Sequence, residues 1–348
     1  MKIVIRVDAS VEIGTGHVMR CITLAENLKK CGAEITFICS NLPGNSISYI
    51  KSRGMNIKVL EVDVNNLFVN TKNIIKSLEF TIDLLIIDHY EIDFKMEKYL
   101  KPCVKKIMVI DDLANRMHDC DILLDQNLYS NYRERYNNLV PPHCLKLLGP
   151  DYILFRDEFI LAARNIKRSH TYKLENILVF FGGSDPTNET EKALLALEPL
   201  ARKYHFNTQV VVGESNPNKN KIKSLCMSIP RVKFYCQVNN MAELMAQADI
   251  SIGAGGATTW ERILLRLPTM VIITADNQEA TAAYLSSFNL IKLLGTSKEV
   301  NILQLYYTLE NLILKKNNSS LFLEDIHIID FEKIFNKPYI SEIIRLLK

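Results

Sequence analysis

A chain of 348 residues is too long for one average core and long enough for two α/β domains, each able to bury a sizeable core. Apolar residues make up 48% and charged residues 23%, the balance of an ordinary globular protein. The formal charge of +3, with Lys and Arg scattered along the chain, argues against a nucleic-acid partner and leaves room for a small anionic substrate.

The first half alternates short apolar runs with helix-length amphipathic segments, the pattern of a parallel sheet covered on both faces. Ile3 to Val7, Glu34 to Cys39, Ile57 to Leu60, Leu84 to Ile87 and Lys106 to Ile110 are predicted strands, and His17 to Lys30 a helix that stops before Gly32. The rhythm breaks between about Leu145 and Thr171, and the polar run Arg164 to Tyr172 is read as an interdomain connection. A second series follows: Ile177 to Phe181, Thr208 to Val212, Val232 to Tyr235, Ile250 to Ile252 and Thr269 to Ile273. The expected organisation is a first domain over 1–160, a second over 161–315 and a helical tail over 316–348. The tail opens on the loop-like run Lys315 to Ser320 and closes on an amphipathic helix over Ile340 to Leu347. Two doubly wound, Rossmann-type α/β domains would face a cleft at the carboxyl ends of both sheets.

The eight cysteines contain no C-x-x-C pair, and several lie inside apolar runs such as Phe37-Ile38-Cys39, so they read as small buried hydrophobes. The first residues begin directly with a strand-like run, no signal peptide is recognisable, and no apolar stretch approaches membrane-spanning length. A cytoplasmic protein without a membrane partner is expected.

The first strand leads through Asp8-Ala9-Ser10 to Gly14-Thr15-Gly16-His17, which opens the helix continuing through Arg20. Glycines at such a junction let a ligand approach the backbone, and the positive helix end favours an anion. The dinucleotide fingerprint fails, because Met19 stands where a third glycine is needed and no acidic residue closes the second strand. His17 fits a neutral imidazole poised to accept a proton, and equally a helix-capping histidine.

The strand ending at Ile252 runs into Gly253-Ala254-Gly255-Gly256-Ala257-Thr258-Thr259-Trp260-Glu261. Successive backbone amides and two threonine hydroxyls suit a diphosphate, and Glu261 in the first helical turns suits a ribose or simply the helix dipole. A third loop, Gly182-Gly183-Ser184-Asp185-Pro186-Thr187, supplies Asp185 or Thr187 as a helix cap. Asp276-Asn277-Gln278-Glu279 offers amides that suit sugar hydroxyl and acetamido groups, or forms a polar turn. Asp88-His89-Tyr90 places a tyrosine able to orient water or substrate, and Asp111-Asp112 lacks the further ligands of a magnesium site and reads as loop-ordering.

Taken together, these motifs resemble the UDP-2,4-diacetamido-2,4,6-trideoxy-β-L-altropyranose hydrolases of pseudaminic acid synthesis, relatives of the spore-coat polysaccharide proteins and, more distantly, of the MurG glycosyltransferases. The resemblance rests on Arg6 to Ser10, Gly14 to Cys21, Asp88 to Tyr90, and Gly149 to Tyr152 with Arg156 and Glu158-Phe159. It continues through Gly182 to Asp185, Gly255 to Glu261 and Asn277 to Glu279, spanning roughly residues 1 to 295. It implies a GT-B-like architecture and a metal-independent hydrolase without a cofactor, releasing UDP and a free sugar that feeds flagellin glycosylation. By position, His17 would be the general base, with Tyr90 and Asn277 positioning water and sugar. Glu261 would hold the ribose and the loop Gly255, Gly256, Ala257, Thr258 the diphosphate. Gly14, Gly16, Arg20, Arg156, Gly183 and Gln278 would complete the substrate site. The region beyond about residue 296 is longer than in compact members and bears on oligomeric state, expected as a monomer or weak homo-oligomer.

The alternative is a GT-B glycosyltransferase using a UDP-amino sugar, against which the sequence lacks an apolar, basic membrane-facing patch. A non-catalytic sugar-nucleotide module fits less well because His17 is present, and a hydrolysing 2-epimerase because its acidic catalytic set is missing.

Overall fold

The computed structural model describes residues 1–61, 67–166, 174–314 and 329–347. The chain divides into two compact units, Met1–Leu154 together with Ile329–Lys348, and Phe155–Ile328.

In the first unit β1 (Lys2–Val7), α1 (Gly16–Lys30), β2 (Glu34–Ser40), α2 (Ile47–Ser52), β3 (Asn56–Leu60) and α3 (Leu67–Ser77) follow in order. Then come β4 (Leu84–Asp88), α4 (Phe94–Leu100), β5 (Ile107–Ile110), β6 (Ile122–Asp125) and β7 (Leu145–Leu148). The strands form a seven-stranded parallel sheet in the order β3-β2-β1-β4-β5-β6-β7. The inner strands are buried on both faces and so are near-continuous apolar runs, whereas the edge strands β3 and β7 are partly exposed. Arg6 interrupts β1 yet is fully buried, because Asp8 holds its guanidinium through two contacts of 2.5 and 2.8 Å. The strand order reverses between β1 and β4, and Val7 pairs with Asp88 at that point. Open parallel sheets place ligands at such a switch point.

The second unit contains α5 (Asp157–Asn165), β8 (Asn176–Phe180), α6 (Glu189–Lys203), β9 (Asn207–Val212), α7 (Lys219–Ser228) and β10 (Val232–Cys236). It continues with α8 (Met241–Gln247), β11 (Ile250–Ala254), α9 (Thr258–Leu264), β12 (Thr269–Ile273), α10 (Glu279–Ser287), β13 (Lys292–Thr296) and α11 (Ile302–Leu314). Its six strands are also parallel, in the order β10-β9-β8-β11-β12-β13, with the switch point between β8 and β11.

The unit division falls after Leu154, whereas the boundary expected at residue 160 lies inside α5, which packs on α8 and α9 of the second unit. The tail is not a separate element. Its described part forms α12 (Phe331–Phe335) and α13 (Pro338–Leu347), which belong to the first unit. Tyr339 and Ile343 are fully buried in that unit's core, beside residues of β1, β2 and α1. The Asn27 amide donates to the Tyr339 hydroxyl at 3.1 Å, and Lys337 donates to Asn27 Oδ1 at 2.7 Å. The expected loop over 315–320 and most of the polar run 164–172 lie outside the described residues. Among the described residues no helix is long and apolar enough to cross a membrane.

Candidate functional site

The β1–α1 loop is closed by Ser10, whose hydroxyl accepts from the amides of Glu12 and Ile13 and whose carbonyl accepts from Gly14. Gly14 has φ +77°, a conformation that side chains rarely adopt. At Gly16 a Cβ would meet nothing within 4 Å, so no contact inside the protein requires glycine there.

His17 follows at the start of α1, and its Nδ1 lies 2.6 Å from Asp88 Oδ1. Asp88 is buried at the end of β4 and takes Arg20 on both oxygens, each at 2.6 Å. Arg20 continues to Asp112 Oδ2 at 2.9 Å, and the Tyr90 hydroxyl donates to Asp112 Oδ1 at 2.7 Å. Tyr90 closes the circuit by meeting the His17 ring edge-on, with 4.7 Å between centroids. Burial raises the Asp88 carboxyl, but Arg20 and His17 outweigh it and hold the group well below the usual carboxylate range. The ionised Asp88 therefore fixes the proton of His17 on Nδ1. The 3.0 Å approach of Arg20 Nη2 to that same nitrogen is then proximity rather than a hydrogen bond. Nε2 is left as the ring's proton acceptor. Burial, then Asp112, pushes the Tyr90 phenol far up, so it stays protonated, donates to Asp112 and retains oxygen lone pairs for a ligand.

His17, Asp88 and Tyr90 line a cavity of about 370 Å³ with Ser10, Ile13 and Leu42 among its other walls. Among the described residues its lining carries Asp8, Glu12, Glu61, Asp88 and Glu91 but no Lys or Arg. The anion expected at the first glycine loop therefore finds no cationic side chain in this lining, and the cavity suits an uncharged, hydrogen-bonding group. Arg20, expected to bind substrate, is committed to Asp88 and Asp112 and supports His17 and Tyr90 instead.

Both glycine loops of the second unit leave the sheet at the β8–β11 switch point. Gly183 accepts from the Gly213 amide at 3.1 Å, and a Cβ on Gly213 would collide with its backbone, so Gly183 is packed against the loop that follows β9. Asp185 accepts from the amides of Glu189 and Thr190, each at 2.9 Å, which makes it the helix-capping residue expected. Gln278 Oε1 accepts from the amides of Gly255 and Thr274 at 3.1 and 3.0 Å, so its carboxamide orders the loop that it was expected to share with a sugar. Gly256, Ala257 and Thr258 remain partly or fully exposed along that loop, and Asn277 is exposed on the turn Asp276–Gln278. Glu261 Oε1 accepts from Arg156 Nε and Nη2 at 3.0 and 2.9 Å, and Arg156 stacks on Phe159. Glu261 Oε2 is buried without a hydrogen-bond partner, and burial pushes the carboxyl up against the pull of Arg156.

Residues 177–325 match the glycosyltransferase family 28 C-terminal domain. Across 82% of its length the chain is 30% identical to the UDP-2,4-diacetamido-2,4,6-trideoxy-beta-L-altropyranose hydrolase of Campylobacter jejuni, covering 96% of that protein. The chain belongs to this hydrolase family. Another relative, an uncharacterized protein of Methanocaldococcus jannaschii, is 31% identical over 80% of the chain, which spans only 57% of that protein's length. The MurG structure of Acinetobacter baumannii superposes with a TM-score of 0.60 at 12% identity, covering 99% of each chain, and shows that this family member has the GT-B fold.

Two residues that the structure joins to His17 and Arg20 are not legible in the sequence as part of this cluster. In the sequence Asp88 stands only as a neighbour of Tyr90, and Asp112 as half of a pair that reads as loop-ordering. Distance in the chain concealed both, since Asp88 reaches His17 across 71 positions and Asp112 reaches Arg20 across 92. The available signal was that each aspartate follows a buried strand at the carboxyl edge of the sheet.

Proposed function

We propose that the chain hydrolyses UDP-2,4-diacetamido-2,4,6-trideoxy-β-L-altropyranose to UDP and the free sugar, as a cytoplasmic step of pseudaminic acid biosynthesis. The observation that carries this reading is the buried Asp88 holding His17 by Nδ1 at the wall of a cavity. In this reading His17 Nε2 takes a proton from water as the water oxygen bonds to the anomeric carbon. The bond from that carbon to the β-phosphate oxygen breaks, and its electron pair leaves with UDP. Tyr90 and Asn277 position water and sugar, and Gly14 and Gly16 allow the sugar to approach the backbone. Acetamido groups suit the cavity because they are neutral and donate N–H to its acceptors.

The second unit holds the nucleotide in this proposal. Backbone amides of Gly255 to Thr258 take the diphosphate, and the unpartnered Glu261 Oε2 accepts from the ribose, with Arg156 fixing the other carboxylate oxygen. Gly183 lines the same switch point. Asp111 and Asp112 hold no metal in this reading, because their carboxylates already accept from Arg116, Tyr136, Arg20 and Tyr90.

Turnover of UDP-diacetamido-trideoxyhexoses in isotopically labelled water tests the reading. Label is expected at C1 of the released sugar. Label in UDP, or no UDP release, would overturn it. The match to a glycosyltransferase domain favours a second reading, in which the same imidazole deprotonates an acceptor hydroxyl. Release of UDP that depends on an added acceptor sugar would select it.

A further inference from the structure

Arg262 adjoins Glu261 in α9 and has no place in the family motifs above. The residue is 1% exposed. Nη2 donates to the Ala254 carbonyl at 2.5 Å and to the Thr259 hydroxyl at 3.0 Å, while Nε donates to the Thr258 carbonyl at 3.2 Å. Nη1 is buried without an acceptor. The guanidinium lies against Gly253, where a Cβ would stand 2.2 Å from Nη1, so glycine at that position is what admits it. Every one of those hydrogen bonds goes to a neutral acceptor in the segment from Ala254 to Thr259, and Glu261 directs its bonded oxygen to Arg156 instead. Burial lowers the Arg262 pKa to about 10 against the opposing pull of Glu261, which leaves it protonated at neutral pH.

A buried cation without a hydrogen-bonded carboxylate is costly in the folded chain, and here Glu261 acts on Arg262 only through its charge. We infer that Arg262 is a positioning residue for the diphosphate of the proposed nucleotide ligand, supplying fixed positive charge behind the Gly255–Thr258 loop and holding that loop in shape. The inference rests on the nucleotide reading of this loop. Arg262 acts through the loop rather than by touching phosphate.

The test compares UDP and uridine binding, by calorimetric titration and by competition, in the wild-type chain and in Arg262→Gln and Arg262→Lys. Gln keeps hydrogen-bonding capacity without charge, and Lys keeps charge without the planar fork. The preference for UDP over uridine is expected to fall about ten-fold in Arg262→Gln and to persist largely in Arg262→Lys. Thermal unfolding of each variant shows that it is folded. An unchanged UDP-to-uridine preference in folded Arg262→Gln would overturn the inference, as would a preference lost in the Lys variant and kept in the Gln variant. A wild-type chain that binds no UDP would overturn the nucleotide reading itself, and this inference with it.

Discussion

Asp88 Oδ1 lies 2.6 Å from His17 Nδ1, and the same carboxylate receives Arg20 on both oxygens. One buried group thus sets the tautomer of the imidazole and anchors the arginine that reaches the support of Tyr90. The charge on Asp88 matters more than its size, because a neutral amide of the same shape can hold the ring in the wrong tautomer.

Asp88→Asn is therefore expected to lower kcat by about 10²- to 10⁴-fold while UDP affinity stays close to that of the wild type. Steady-state kinetics beside a UDP titration checks both parts. A variant with kcat within a few-fold of wild type would show that His17 does not depend on Asp88.

His17→Asn removes the proposed proton acceptor and leaves the second unit untouched. Turnover is expected to vanish with UDP binding intact. Retained turnover would move the base elsewhere among the residues lining the cavity.

Glu261→Ala removes the unpartnered oxygen and leaves Arg156 without its partner in α9. Hydrogen bonds to a charged group contribute about 1.5–3 kcal/mol, so UDP is expected to bind about 10- to 150-fold more weakly. Equal loss of uridine binding would support contact with the ribose, and unchanged affinity for both would remove that assignment.

Acid should unfold the first unit in a specific sense. Burial pushes the carboxyls of Asp8, Asp88 and Asp112 up, but their arginine and histidine partners outweigh it and hold all three below the usual range. Their contribution is complete above the unfolded-state value of about 4 and is lost as pH falls through the lower folded values. Asp125 acts oppositely: burial raises its carboxyl to about 7 despite Arg135, so its contribution declines as pH rises toward that value. Urea unfolding across pH 3 to 8 is expected to show stability dropping below about pH 4, less steeply in Asp88→Asn. An Asp125→Asn variant should lose the opposing slope. Identical profiles in all three proteins would contradict these assignments.

Ile343→Ala should lower stability by about 2–5 kcal/mol, the usual cost of a cavity in a packed core. Ile343 is fully buried in the first unit's core. Chemical denaturation monitored on the first unit measures it, and a change below about 1 kcal/mol would mean that α13 is only loosely seated.

The doubly wound character was legible because strands such as Leu84 to Ile87 are unbroken apolar runs. β6 and β7 escaped because no helix separates them from β5 or from each other, so the strand–helix alternation does not mark them, and β13 because it is an edge strand broken by Gly295, all of it partly exposed. The glycine loops announced themselves through residues with local roles, such as the Asp185 cap. What remained hidden were side chains whose partners lie far along the chain. Arg20 looks like a ligand-binding cation until Asp88 and Asp112 are seen to occupy it, and Gln278 looks available until the Gly255 amide claims its oxygen.

Tyr339 and Ile343 belong to the core of the first unit, although residues 155–328 form the second. A ribosome must therefore make the whole second unit before it makes the side chains that finish the first. The half-built unit, with its parallel sheet already translated, has to wait with an uncovered apolar surface around Asn27 and its neighbours. Of the two, the unit begun first is completed last.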